Sequence, residues 1–130
     1  MENKAQSAIE FIIILSAISV FFTGFMLVLQ YNVADKNYER ADFLTQEIAL
    51  NVQNEVDLAT NSVDGYTRQF SIPARILGSA YNINVTSGFV YVRTTDGQHS
   101  LSYPTGNVTG YILKGANTIR KINGTVYFNP

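Results

Sequence analysis

The chain has 130 residues, a formal net charge of −1, and neither cysteine nor tryptophan. Without thiols it has no disulfide staple, thiolate zinc site or thiol nucleophile. A near-neutral charge gives it no general pull towards nucleic acid, and the length allows one small domain plus an appendage.

The first five residues, Met1 to Ala5, form a short polar leader carrying Lys4. Glu10 is followed by an apolar run from Phe11 to Leu29, 19 residues without a charge. As a helix that run is about 28 Å long at ~1.5 Å per residue. The hydrocarbon core of a bilayer is ~30 Å thick, so the run just spans it. A secretory signal peptide would have an apolar core of ~7–15 residues and a small-residue cleavage site behind it. Here the run is longer and ends on Gln30-Tyr31-Asn32. A plain membrane anchor is the simplest reading, with the leader held in the cytoplasm by its positive charge. Glu10 is the odd residue, because a carboxylate deep in hydrocarbon costs ~2.5–3.5 kcal/mol on insertion scales. In a resting membrane protein its place in the first helical turn, near the headgroups, would account for it.

The pattern Lys4-Ala5, Gln6-x-x-x-Glu10, then Phe11 and hydrophobes resembles the class III signal peptide of archaeal type IV pilins. Their pattern is Gln-x-Ser-x-Glu before an apolar run, and Ala8 stands where the family usually has Ser. The resemblance implies that a prepilin peptidase cuts between Ala5 and Gln6. It implies further that an assembly ATPase and membrane platform then build copies of the chain into an adhesive helical filament. Glu10 would neutralise the new amino terminus, in its own subunit or a neighbour's. The chain would start as a membrane precursor and end in an extracellular surface filament. Ser16, Ala17, Ser19, Thr23 and Gly24 would allow close approach of packed helices.

From Asn32 to about Asn61 apolar residues recur at helical spacing, at Ala34, Tyr38, Ala41, Leu44, Ile48, Val52, Val56 and Ala59. No Pro or Gly lies between Met26 and Asp64, so the apolar and amphipathic parts read as one helix over 6–62, with its hydrophobic part at 6–30 and its amphipathic part at 31–62. Gly24 is its one soft point. The stripe beginning at Ala34 should pack against the carboxy-terminal half of the chain.

Asp64-Gly65 opens a head over 63–130. Period-two alternation predicts strands at Tyr66–Ile72, Tyr81–Thr86, Phe89–Thr94, Gln98–Tyr103, Val108–Lys114, Thr118–Ile122 and Thr125–Phe128. Asp96-Gly97 and Asn123-Gly124 are two-residue hairpin signals. The fold class is α+β: a long amino-terminal helix, then a small antiparallel sheet or sandwich, as in type IV pilin-like subunits.

Charge divides sharply. Residues 31–64 carry Lys36 and Arg40 against seven carboxylates, a net of −5, while residues 65–130 carry six basic residues against Asp96, a net of +5. Either the head folds on the stem and neutralises it, or acidic stems also meet basic heads of neighbouring subunits.

Asn84, Asn107 and Asn123 each begin an Asn-x-Thr sequon in the head, as candidate N-glycosylation sites. His99, the only histidine, reads as an exposed strand residue beside a turn. No nucleophile elbow, phosphate-binding glycine loop or metal-ligand cluster occurs. No enzymatic activity, cofactor, metal or nucleic-acid partner is therefore expected. The alternatives to a filament subunit are a single-pass anchored surface binding module and a minor pilin or archaellin-like component.

Overall fold

The structure is a computed structural model describing residues 2–130, with side chains from residue 5 onward. Met1 and the side chains of Glu2, Asn3 and Lys4, in the expected leader, lie outside the described residues. The fold is α+β. Helix α1 runs Glu2–Asn61, 60 residues unbroken through Gly24. Seven strands come after it: β1 Thr67–Ile72, β2 Tyr81–Thr86, β3 Phe89–Thr94, β4 Ser100–Pro104, β5 Val108–Thr109, β6 Gly115–Ile122 and β7 Thr125–Phe128. The chain divides into two compact units, residues 1–39 and residues 40–130.

In the first unit every described side chain from residue 5 is exposed. With its described side chains exposed, the helicity of this stretch draws on local hydrogen bonding and on an interior free of proline. The second unit holds the core. Two sheets, ordered β1-β6-β7-β5 and β2-β3-β4, are antiparallel throughout except for the β5–β7 pair, which is parallel. The helix face made by Ile48, Val52, Val56 and Ala59 is buried in one cluster with Ile72, Tyr81, Val90, Val92, Ile119 and Phe128. Burial on the stripe begins at Ala41, not at Ala34: Ala34 and Tyr38 stay exposed. Periodicity identifies a helix face but not how far along it a partner extends.

Where the helix ends, its last carbonyls have no partner within the helix. Lys121 of β6 supplies one: its Nζ donates to Thr60 O at 2.6 Å and to Ser62 O at 2.8 Å. A cation here also complements the negative end of the helix dipole.

Two strand expectations need correction. Asp96-Gly97 is not a two-residue turn; only Gly97 of the pair takes positive φ. Asp96 Oδ1 instead accepts from Thr94 Oγ1 at 2.5 Å and from Gln98 N at 3.0 Å, which holds a longer connection across 95–98. The predicted strand Val108–Lys114 shrinks to Val108–Thr109. Gly110, at φ +101°, lies so close to the Phe128 backbone that a Cβ could not fit. The loop after it is tied by Asn117, which bonds Leu113 through both its amide N and O, and strand β6 starts earlier, at Gly115. Asn123-Gly124 is a tight turn, with both residues at positive φ and Ile122 opposite Thr125. A second turn of this kind, Ser87-Gly88, joins β2 to β3.

Candidate assembly segment and head surface

Ala5 and Gln6, the residues flanking the expected cut, are helical and exposed. One turn on, Glu10 Oε1 accepts a hydrogen bond from Gln6 Nε2 at 3.2 Å. Helical spacing makes that contact, because residues i and i+4 stack on one face. An amino group created at Gln6 would thus sit on the same turn as the carboxylate.

The apolar run beyond Glu10 has a feature that sequence alone leaves open. Its hydroxyls turn inward: Ser16 Oγ donates to Ile12 O at 2.7 Å, Ser19 Oγ to Leu15 O at 2.8 Å and Thr23 Oγ1 to Ser19 O at 2.9 Å. Each uses the carbonyl four residues back. The polar hydrogens are satisfied within the helix, so the outer surface stays apolar. Phe11, Phe21 and Phe25 are 65%, 80% and 52% exposed. The helix is long and apolar enough to cross a membrane. Such a surface is unfavourable in water by ~25 cal/mol per Å² of apolar area, so it calls for lipid or protein around it.

The charge division is answered only in part within the second unit. Among the described residues one Arg–carboxylate pair forms, Arg68 Nε to Glu55 Oε2 at 3.3 Å, with the Glu55 side chain buried. His99 is not an exposed strand residue. It is buried, 4% exposed, and its Nδ1 lies 3.4 Å from Asp42 Oδ1 on the helix. Its strand parity matches that of the inward-facing Leu101 and Tyr103, so alternation along β4 sets it on the inner face, a signal the sequence already carried.

Asn84, Asn107 and Asn123 are all exposed, as are Thr86, Thr109 and Thr125 of their sequons. Asn123 lies in the β6–β7 turn and Asn107 directly precedes β5, whereas Asn84 lies within β2. Asn84 stands opposite Tyr91, and Thr86 opposite Phe89. Phe89 and Tyr91 point outward from the three-stranded sheet, with ring centroids 6.0 Å apart and planes tilted by 44°. The sequence reading missed this exposed pair. The Ser87-Gly88 turn was the available signal, because it sets the register that places Asn84 and Thr86 across from the two rings.

Compared with protein-family models, with curated proteins and with solved structures, the chain matches none.

Proposed function

We propose that the chain is the structural subunit of a surface filament of the archaeal type IV pilus kind, used for adhesion. A prepilin peptidase cuts the membrane precursor between Ala5 and Gln6. The assembly ATPase and membrane platform then move the helix from lipid into a core of identical helices outside the cell. One observation carries this reading: a continuous helix whose exposed, internally satisfied apolar run begins at Phe11, directly after a hydrogen-bonded Gln6–Glu10 pair. A permanent anchor needs the apolar run alone. Polymerisation also needs a carboxylate placed to cancel a newly made amine.

The test is the first residue of the mature chain together with electron microscopy of the cell surface. The expected result is a chain starting at Gln6 and present in fibres. A mature chain that retains its leader and remains in the membrane fraction would overturn the proposal.

The second reading, a single-pass anchored binding module, draws on the head's core, which closes within residues 40–130. In that case the leader is retained and no fibres form.

A further inference from the structure

The outer face of the sheet β2-β3-β4 is unusual for a solvent-facing surface. No carboxylate occurs in its three strands, and Arg93 is its one charge. Phe89 and Tyr91 form its centre, 41% and 44% exposed. Short polar side chains flank them in register, Asn84 and Ser102 on either side of Tyr91. An aromatic platform edged by amides and hydroxyls has the chemistry of a saccharide contact: ring faces for sugar C–H groups, polar edges for hydroxyls.

The sequon says where the saccharide comes from. Asn84 and Thr86 share this face, because residues two apart in a strand point the same way. Directly opposed cross-strand residues have Cβ atoms about 4.5–5.5 Å apart, and diagonal neighbours are within reach of long side chains. The first sugar on Asn84 therefore starts beside Tyr91 and one diagonal step from Phe89. The other two sequon asparagines, Asn107 and Asn123, lie outside the strands; Thr109 of the first stands opposite Tyr127, but that ring is half-buried and Asn107 itself has no cross-strand partner.

We propose that Asn84 carries an N-linked saccharide that lies across Tyr91 and Phe89 and covers this sheet face. The inference rests on the part of the proposed function that puts the head outside the cell. In the transfer step, Asn84 Nδ2 forms a bond to the anomeric carbon of a saccharide held on a lipid phosphate, under a membrane glycosyltransferase. The bond from that carbon to the phosphate oxygen breaks, the phosphate leaves with the electron pair, and one amide proton is lost. Thr86 supplies the hydroxyl that the sequon requires. The attached sugar then shields two rings that would otherwise form an exposed apolar patch.

The full chain, made in an archaeal host that N-glycosylates, provides the test. Trypsin cuts after Arg75, Arg93, Lys114 and Lys121, so peptides 76–93, 94–114 and 122–130 carry one sequon each. Mass spectrometry should find the saccharide on 76–93, absent in Thr86→Val and retained in Thr86→Ser. Wild type should exceed Thr86→Val in its folding equilibrium by about 1.4- to fivefold, the range of a cross-strand contact. That difference should shrink when Phe89 and Tyr91 are both changed to Ser. Nuclear Overhauser contacts between sugar protons and the Tyr91 ring give a readout independent of stability. An unmodified 76–93 peptide overturns the proposal, as does a saccharide whose removal has the same effect with and without the rings. Binding of free saccharide or of a second copy to this face in unmodified protein would overturn it too. The amino-terminal peptide of the same sample separates this inference from the filament reading. Unmodified 76–93 with a start at Gln6 sinks only the inference, and modified 76–93 with a retained leader sinks only the filament.

Discussion

Glu10 is the residue on which the proposed assembly turns. Its hydrogen bond to Gln6 shows that a single turn of the helix brings the two together. The carboxylate is spared burial as an uncompensated charge only if a cation joins it in the filament core. Glu10→Ala is expected to leave leader removal intact and to reduce filament yield at least tenfold, measured by shearing fibres from cells and quantifying the subunit. Asp96 is the residue for a pH prediction. Hydrogen bonds from Thr94 Oγ1 and then from the Gln98 backbone hold its carboxyl below the ordinary aspartate range. A depressed folded-state value means a contribution present above the unfolded value and lost as pH falls through the folded one. Wild type should therefore melt above Asp96→Ala at pH 7. The gap should narrow as pH drops below about 4, the ordinary aspartate value. A gap that persists unchanged at pH 2 would refute it.

At the scale of elements, two glycines separate helix from head. Gly24 lies in the helix with open space where a Cβ would be, so Gly24→Ala should stabilise the isolated helix by about 0.8–1 kcal/mol. Gly110 is the opposite case. Its φ of +101° and the Phe128 backbone beside it leave no room for a side chain. Gly110→Ala should cost the head more than about 1–3 kcal/mol, the scale of strained backbone, and should displace β5 from β7. Circular dichroism melts of the two variants check the contrast. The same argument explains why the predicted strand at Val108–Lys114 failed. Alternation suggested a strand, but Gly110 turns the chain away and Asn117 offers the loop backbone an alternative to sheet pairing.

At the scale of the whole molecule, burial divides the chain. Side chains from Ala5 to Arg40 are exposed, while the core lies among residues from Ala41 onward. A fragment covering 36–130 should therefore be soluble and should unfold in one cooperative transition, by urea titration followed by circular dichroism. The full chain should partition into detergent. A fragment that aggregates or melts without a transition would mean that the core depends on the apolar segment. The charge division belongs at this scale too. Arg68 pairs with Glu55 of the stem, while Lys121 caps the carbonyls at its end. In the proposed filament, the remaining carboxylates of the stem are the ones open to basic heads of neighbouring subunits.

What sequence determined alone was whatever depends on neighbours along the chain. Helical period and the lack of breakers set one long helix, alternation marked the strands, and Asn123-Gly124 marked its turn because positive φ is a local demand. Gln6 and Glu10 were legible as a pair for the same reason, four residues being one turn. Tertiary structure decided what depends on distant partners. It set the two-sheet order with its parallel β5–β7 edge, the point where the stripe becomes buried, and the contact of His99 with Asp42. Lys121 on the helix end, and Asn84 across from Tyr91, were likewise decided there. These are contacts between segments far apart in sequence, and their energies come from packing and register, which no local pattern carries.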